Sequence, residues 1–109
     1  MRIDIKPLSV NDVWQGKRFK TPKYKRYERD LLLMLPAFKV PDGDLSLRLT
    51  FGFSNASSDW DNPVKPFQDV LQKKYGFNDS RIVEATVKKV KVKKGAEFIE
   101  WGIYAAEID

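Results

Sequence analysis

The sequence predicts one α+β domain over residues 1–109, in β-α-β-α-β-β order, with two helices packed on a mixed or mostly antiparallel sheet. Three observations carry this. Leu45, Leu47, Leu49, Phe51 and Phe53 alternate with smaller or polar residues, two segments that open on proline carry apolar residues at helical spacing, and two further apolar runs flank Gly95 near the end. With 109 residues, 42% of them hydrophobic and 13% aromatic, the chain has enough apolar surface for a single core.

The elements follow in order. From Arg2 to Leu8, Ile3 and Ile5 alternate with polar neighbours until Pro7 interrupts, as in a short strand at a sheet edge. A basic loop comes next. Thr21 and Pro22 make an N-cap and first-turn pair, and Tyr24, Tyr27, Leu31 and Met34 recur at helical spacing up to Pro36. After the Pro41–Gly43 turn, the alternation from Leu45 to Phe53 marks a strand with one buried face. Residues 55–62 form a polar loop. Pro63 and Pro66 then delay the second helix to about Lys65 or Pro66; Phe67, Val70 and Leu71 form its apolar face and Gly76 ends it. A turn at Asn78–Ser80 leads to a strand from Arg81 to Lys93. Its buried phase shifts from Val83, Ala85 and Val87 to Val90 and Val92, as one extra residue in a bulge would cause. Gly95 is then expected to make a hairpin into a last strand, Phe98 to Ile108.

Composition narrows the chemistry. No cysteine and no histidine are present, so disulfides, thiolate metal sites and imidazole bases are excluded, and any metal must be held by oxygen. That favours hard cations, Mg²⁺ or Mn²⁺. No run approaches the length of a membrane span and the first residues lack a signal-peptide core, so a cytoplasmic protein without a membrane partner is expected.

The net charge of +5 is unevenly placed. Lys17, Arg18, Lys20, Lys23, Lys25, Arg26 and Arg29 stand against one acid, Glu28, with Tyr24 and Tyr27 among them, and five lysines lie between Lys88 and Lys94. Such stripes suit a polyanion, since each neutralised phosphate releases counterions, although a lysine run also serves as a solvated face. Tyr27 fits the buried face of the first helix. Trp14, in the loop, is the better candidate for stacking on a base, with Tyr24 able to serve either purpose.

Asp59 and Asp61 lie two apart after a buried strand, so both carboxylates can point the same way. Asp79, beyond the second helix, is expected at the same sheet edge, where three carboxylates would need a cation among them. An Asp-x-Asp in a turn is ordinarily just solvated. Lys65 changes its weight: at a helix N-terminus a lysine is electrostatically misplaced unless an anion such as phosphate belongs there. Its alternative role is a surface pair with Asp69, four residues on.

At these residues the chain resembles the RusA family of Holliday junction resolvases. Asp59-Trp60-Asp61-Asn62-Pro63-Val64-Lys65-Pro66-Phe67-Gln68-Asp69-Val70-Leu71 is similar to the family's core pattern, an Asp-x-Asp-Asn followed by Lys, Asp and Leu at the same intervals, and Asn78-Asp79-Ser80-Arg81-Ile82 to its second motif. Ser9, Asn11 and Trp14 before a basic loop, then Thr21-Pro22 with Tyr24 and Tyr27, follow an order common in phage-borne members. The resemblance implies a magnesium-dependent homodimer that binds four-way DNA junctions and nicks two opposing strands symmetrically. It implies Asp59, Asp61 and Asp79 as metal-binding catalytic carboxylates, Lys65 as the catalytic lysine, and a phage- or prophage-encoded enzyme working in a bacterial cytoplasm. Asn78 departs from the pattern, which often has a second acid there. Lys17, Arg18, Lys20, Lys23, Lys25, Arg26 and Trp14 are the expected DNA contacts. Two other readings stand beside this one: a DNA-binding module without catalysis, and a nuclease for other branched DNA.

Overall fold

The structure, a computed structural model, describes residues 1–107. Its main sheet has four strands: β1 (Arg2–Ile3), β4 (Leu45–Phe53), β5 (Ile82–Lys91) and β6 (Phe98–Ala105), in the spatial order β1-β6-β4-β5. β4 runs parallel to β5 and antiparallel to β6, and β1 pairs antiparallel with β6, so the sheet is mixed. Helices α1 (Pro22–Met34) and α2 (Val64–Tyr75) cover one face, and a small separate hairpin pairs β2 (Trp14–Gln15) with β3 (Phe19–Lys20). This is the expected α+β architecture.

β4 dictates the layering. Leu45, Leu47, Leu49 and Phe51 are all but inaccessible and meet Tyr24, Tyr27 and Leu31 of α1 and Phe67, Val70 and Leu71 of α2 in one core. The Phe51 and Phe67 rings meet edge-on, with centroids 6.1 Å apart. The helices lie side by side in the same direction: Lys73 Nζ donates to Glu28 at 2.7 Å, Lys74 Nζ to the Leu32 carbonyl at 3.0 Å and the Tyr75 hydroxyl to the Pro36 carbonyl at 2.7 Å. α1 begins as expected, with Thr21 Oγ1 accepting from the Tyr24 amide at 3.0 Å and Pro22 in the first turn. Gly76 closes α2 at φ 70°, a left-handed cap that suits glycine. The opposite face of the sheet is uncovered and polar. Arg48, Thr50, Glu84, Lys88, Glu100 and Tyr104 surround a shallow trough of about 470 Å³ there.

Four details differ from expectation. β1 stops at Ile3, where the chain turns with the Ile5 amide donating back to the Ile3 carbonyl, so it is shorter than Arg2–Leu8. The basic loop contains structure, a 3-10 turn at Val10–Asp12 and then the β2–β3 hairpin, in whose turn Gly16 takes φ 71°. The irregularity in β5 lies at its beginning: Leu45 pairs with Ile82 and Ser46 with Glu84, leaving Val83 extra, and the register then continues unbroken to Lys91. Finally, Gly95 does not make a hairpin. β5 occupies one edge of β4 and β6 the other, so the connection passes the end of β4, where the Val92 amide donates to the Phe53 carbonyl at 2.8 Å. As the central strand, β4 has two edges to satisfy, and β5 and β6 take one each instead of pairing with one another. Ile108, expected to close the last strand, lies outside the described residues.

Candidate active site

The acidic loop leaves the C-terminal end of β4 and runs directly into α2. Three contacts fix its path. Asn55 Oδ1 accepts from the Ser57 amide at 2.9 Å, the Asn62 carbonyl accepts from the Val10 amide at 2.9 Å, and Lys89 Nζ on β5 donates to the carbonyls of Ala56 and Ser58. The Asp61 carbonyl accepts from the Val64 amide at 3.1 Å in the turn that leads into α2, and the cap residue Pro63 is fully buried. Asp59 and Asp61 themselves are exposed, and among the described residues neither joins an ion pair. They sit beside a helix N-terminus whose cap residue, Pro63, offers no side-chain hydrogen bond; the Val64 amide is taken by the Asp61 carbonyl and Pro66 has no N–H, so among the described residues the Lys65 amide alone remains open in the first turn.

Lys65 lies in that first turn and pairs with Asp69 at 2.8 Å. The hydrogen bond from Lys65 to Asp69 is the main cause that lifts the ammonium pKa above its usual value, against a smaller opposing desolvation and with weaker help from the charges of Asp69 and Asp79. The group is therefore a fixed cation at neutral pH, able to neutralise an oxyanion and unable to act as a base.

The structure does not bring Asp79 to the other two aspartates. Asp79 opens the 3-10 turn Asp79–Arg81, and the next residue, Ile82, pairs with Leu45 at the start of β4, whereas the acidic loop leaves from the end of β4. Arg81 anchors this turn by donating to the carbonyls of Pro41 and Gly43. The expectation of one three-carboxylate cluster is thus corrected by topology. α2 is the crossover of a parallel β-α-β unit and returns the chain to the end where β4 began. Among the described residues no group of three or more Asp, Glu, His or Cys is gathered as a metal-binding set. Asp79 retains its electrostatic link to Lys65.

The two basic segments do converge on the acidic end. Lys88, Lys89 and Lys91 lie in the half of β5 that pairs with Thr50–Phe53, just below the loop. The 3-10 turn and hairpin are tied to it through the Val10–Asn62 bond, and Asp12, Lys23, Asp59 and Asn62 line one cavity of about 240 Å³. Lys17 and Arg18 lie in the hairpin turn; Lys20 Nζ stands over the rings of Trp14 (5.5 Å) and Tyr24 (4.5 Å); Lys25 and Arg26 are exposed on α1. Lys23 is held by Asp12 at 3.3 Å. Trp14 is 52% exposed, whereas Tyr24 and Tyr27 are both core residues, which removes Tyr24 as a stacking platform. Two contributors escaped the sequence reading. Phe19, 72% exposed, had its signal in being an apolar ring flanked by Arg18 and Lys20, and the clamp role of Lys89 was hidden within the lysine run.

Compared with known proteins, the chain matches no protein-family model and no curated protein. No helix among the described residues is long and apolar enough to cross a membrane.

Proposed function

We propose that this protein is a metal-dependent endodeoxyribonuclease of the RusA type, which resolves four-way DNA junctions by paired symmetric nicks as a homodimer. One observation carries the reading: two unpaired exposed carboxylates, Asp59 and Asp61, share a helix N-terminus with the cationic Lys65, at the end of the molecule where the basic segments gather.

The donors present fit Mg²⁺, with Mn²⁺ as a substitute. Mg²⁺ is characteristically held by one or two carboxylates together with waters and substrate phosphate, so the pair at 59 and 61 suffices without a third protein ligand. When bound there, the ion supplies Lewis acidity toward a phosphoryl oxygen and a water more readily deprotonated than bulk water. The rest belongs to the chain. Asp59 and Asp61 hold negative charge where a cation is needed, and the Lys65 amide, the one first-turn N–H without a partner among the described residues, can donate to a phosphate oxygen. Lys65 neutralises the charge that grows on phosphoryl and leaving oxygens. Asp79, the third expected carboxylate, stands where β4 begins and contributes only the last of the influences that favour the Lys65 ammonium. Lys17, Arg18, Lys20, Lys25 and Arg26 grip flanking phosphates, Lys23 contributes from its pair with Asp12, and Trp14 stacks on a base at the branch. Two equal cuts on a two-fold substrate call for a two-fold protein. Such an enzyme, phage- or prophage-encoded, would work in the cytoplasm of a bacterial host.

The test is a synthetic four-way junction with each strand labelled in turn, incubated with protein and Mg²⁺. Paired nicks at symmetric positions are expected, and Asp61→Asn should bind the junction without cutting it. No cleavage of any DNA in Mg²⁺ or Mn²⁺, or cleavage that survives Asp61→Asn, overturns the proposal. The placement of Asp79 at the end where β4 begins, with no gathered group of three acids among the described residues, favours a second reading, a DNA-binding module without catalysis. That reading expects binding and no metal-dependent nicking in the unaltered protein. A flap and a plain duplex run in parallel separate junction resolution from cleavage of other branched DNA.

A further inference from the structure

β5 is bonded to β4 along one edge, and its other edge is open over ten residues. Only Ile82 and Val87 are partly buried; the other eight side chains are exposed, Val83 at 57% and Val90 at 40%. A strand in a parallel pair is ordinarily covered on both faces. An open edge without proline or glycine, carrying exposed valines, is a ready template for another strand. The lysines at 88, 89 and 91 would guard it in a monomer, yet Lys89 is turned back to clamp the acidic loop.

The charges along β5 also point to its partner. Glu84, Thr86 and Lys88 project to the same open face and line the trough beside Arg48. A second copy related by a two-fold axis perpendicular to the sheet keeps each face on its own side, so only residues of like parity can oppose one another. With that axis at Thr86, Glu84 faces the second copy's Lys88, Lys88 faces its Glu84, and Thr86 meets Thr86. The pairing runs from Glu84 toward Lys88, because Val83 is the extra residue that turns Ile82 to the core side of the sheet. Opposite charges and a threonine pair are cross-strand combinations that stabilise sheets. No neighbouring register does as well. Centred on Ala85 or Val87, threonine faces a charge; centred on Glu84 or Lys88, like charges collide.

We propose that the protein self-associates by antiparallel pairing of β5 with the β5 of a second copy, centred on Thr86, to form one continuous eight-stranded sheet. This gives the homodimer of the reading above its contact surface, while resting on the exposure and charge pattern of β5 without appeal to DNA or metal. The axis sends the two acidic loops to opposite ends of the joined sheet.

The experiment is light scattering behind size exclusion at increasing protein concentration, without DNA or divalent metal. A dimer mass is expected. Glu84→Lys and Lys88→Glu should each weaken association by roughly tenfold or more, and the double exchange should restore it, since the swapped pair is again complementary. The chain lacks cysteine, so Thr86→Cys adds a single thiol. A short bifunctional thiol reagent should join two copies through position 86 and fail to join Thr50→Cys, which shares the open face but lies on the central strand. A monomer at all concentrations overturns the proposal, as does a dimer indifferent to charge reversal or equal cross-linking of the two cysteine variants. Because association is read without DNA or metal, failure of the separate junction-cleavage test refutes the nuclease and leaves this contact standing.

Discussion

Replacing Lys65 with alanine separates a catalytic lysine from a surface one, because the two roles predict effects of different size. The Lys65–Asp69 pair is a helical i,i+4 contact with side chains 57% and 39% exposed. Such a pair contributes only about 0.3–0.5 kcal/mol. Removing a cation from a helix N-terminus returns about 0.3–1 kcal/mol of the opposite sign. The net change in stability therefore lies between about −0.2 and +0.7 kcal/mol, so Tm should fall by no more than about 2 °C or rise by up to about 6 °C on the scale of about 4–8 °C per kcal/mol for small domains. If Lys65 meets charge that develops on a reacting phosphate, its loss should slow nicking by about 10²–10³-fold, the cost of one preorganised oxyanion donor. Single-turnover nicking of a four-way junction at saturating protein, measured beside thermal unfolding, gives both quantities. Because Asp69 lifts the Lys65 pKa above its usual value, the rate should show no lysine ionisation between about pH 6 and 9. A rate loss under about threefold, or a fall in Tm beyond about 6 °C, would refute the catalytic assignment.

Other expected outcomes follow from the same geometry. Mg²⁺ at about ten times its dissociation constant should stabilise the unaltered protein by about 1.4 kcal/mol, and Asp61→Asn should abolish the shift in a melting experiment. Tyr27→Phe should raise Tm by several degrees, because the Tyr27 hydroxyl is buried without a hydrogen-bond partner and a buried unsatisfied polar group costs about 1–3 kcal/mol. A lowered Tm would reveal that the hydroxyl is satisfied. Glu28 is held below its ordinary value of 4.5, chiefly by the hydrogen bond from Lys73. Its folded pKa lies below its unfolded one, so its stabilisation is present above about pH 4.5 and is lost as pH falls through the folded value; Glu28→Gln should flatten the stability–pH curve in that acid range. Alanine at both Lys17 and Arg18 should reduce the slope of log K for duplex DNA against log salt by up to about two, and an unchanged slope would remove the hairpin from the DNA contacts.

The sequence made β4 and α1 legible because each is fixed by local rules. The strand Leu45–Phe53 and the Thr21-Pro22 cap appear in the structure as expected, although Ser46 and Gly52, between the alternating apolar residues, are buried as well. Pairing partners were not legible in the same way. Gly95 does turn the chain, with φ 93°, but a local turn cannot reveal that β4 lies between the two strands it joins. The expected bulge between Val87 and Val90 came from assuming a buried face that an edge strand lacks, and the true irregularity at Val83 leaves no mark in the apolar pattern. The site divides along the same line. Asp59, Asp61 and Lys65 are close in sequence and sit together at one helix start, whereas placing Asp79 required the direction of β5, a non-local property.

Among the described residues Asp59 and Asp61 join no ion pair, a state they share with most of the carboxylates. What sets them apart is where the nearby lysines, in sequence and on β5, are directed. Lys65 is drawn down the helix to Asp69, and Lys89 spends its hydrogen bonds on the carbonyls of Ala56 and Ser58. The loop is thus fixed by a lysine that leaves its carboxylates alone, and this keeps two like charges exposed two residues apart. Mutual repulsion opposes that arrangement until a cation arrives, so binding a divalent ion removes a repulsion as well as adding attraction. The same reasoning says what Lys89 does: replacing it with alanine should leave the carboxylates chemically intact while freeing the loop, weakening Mg²⁺ binding through lost positioning.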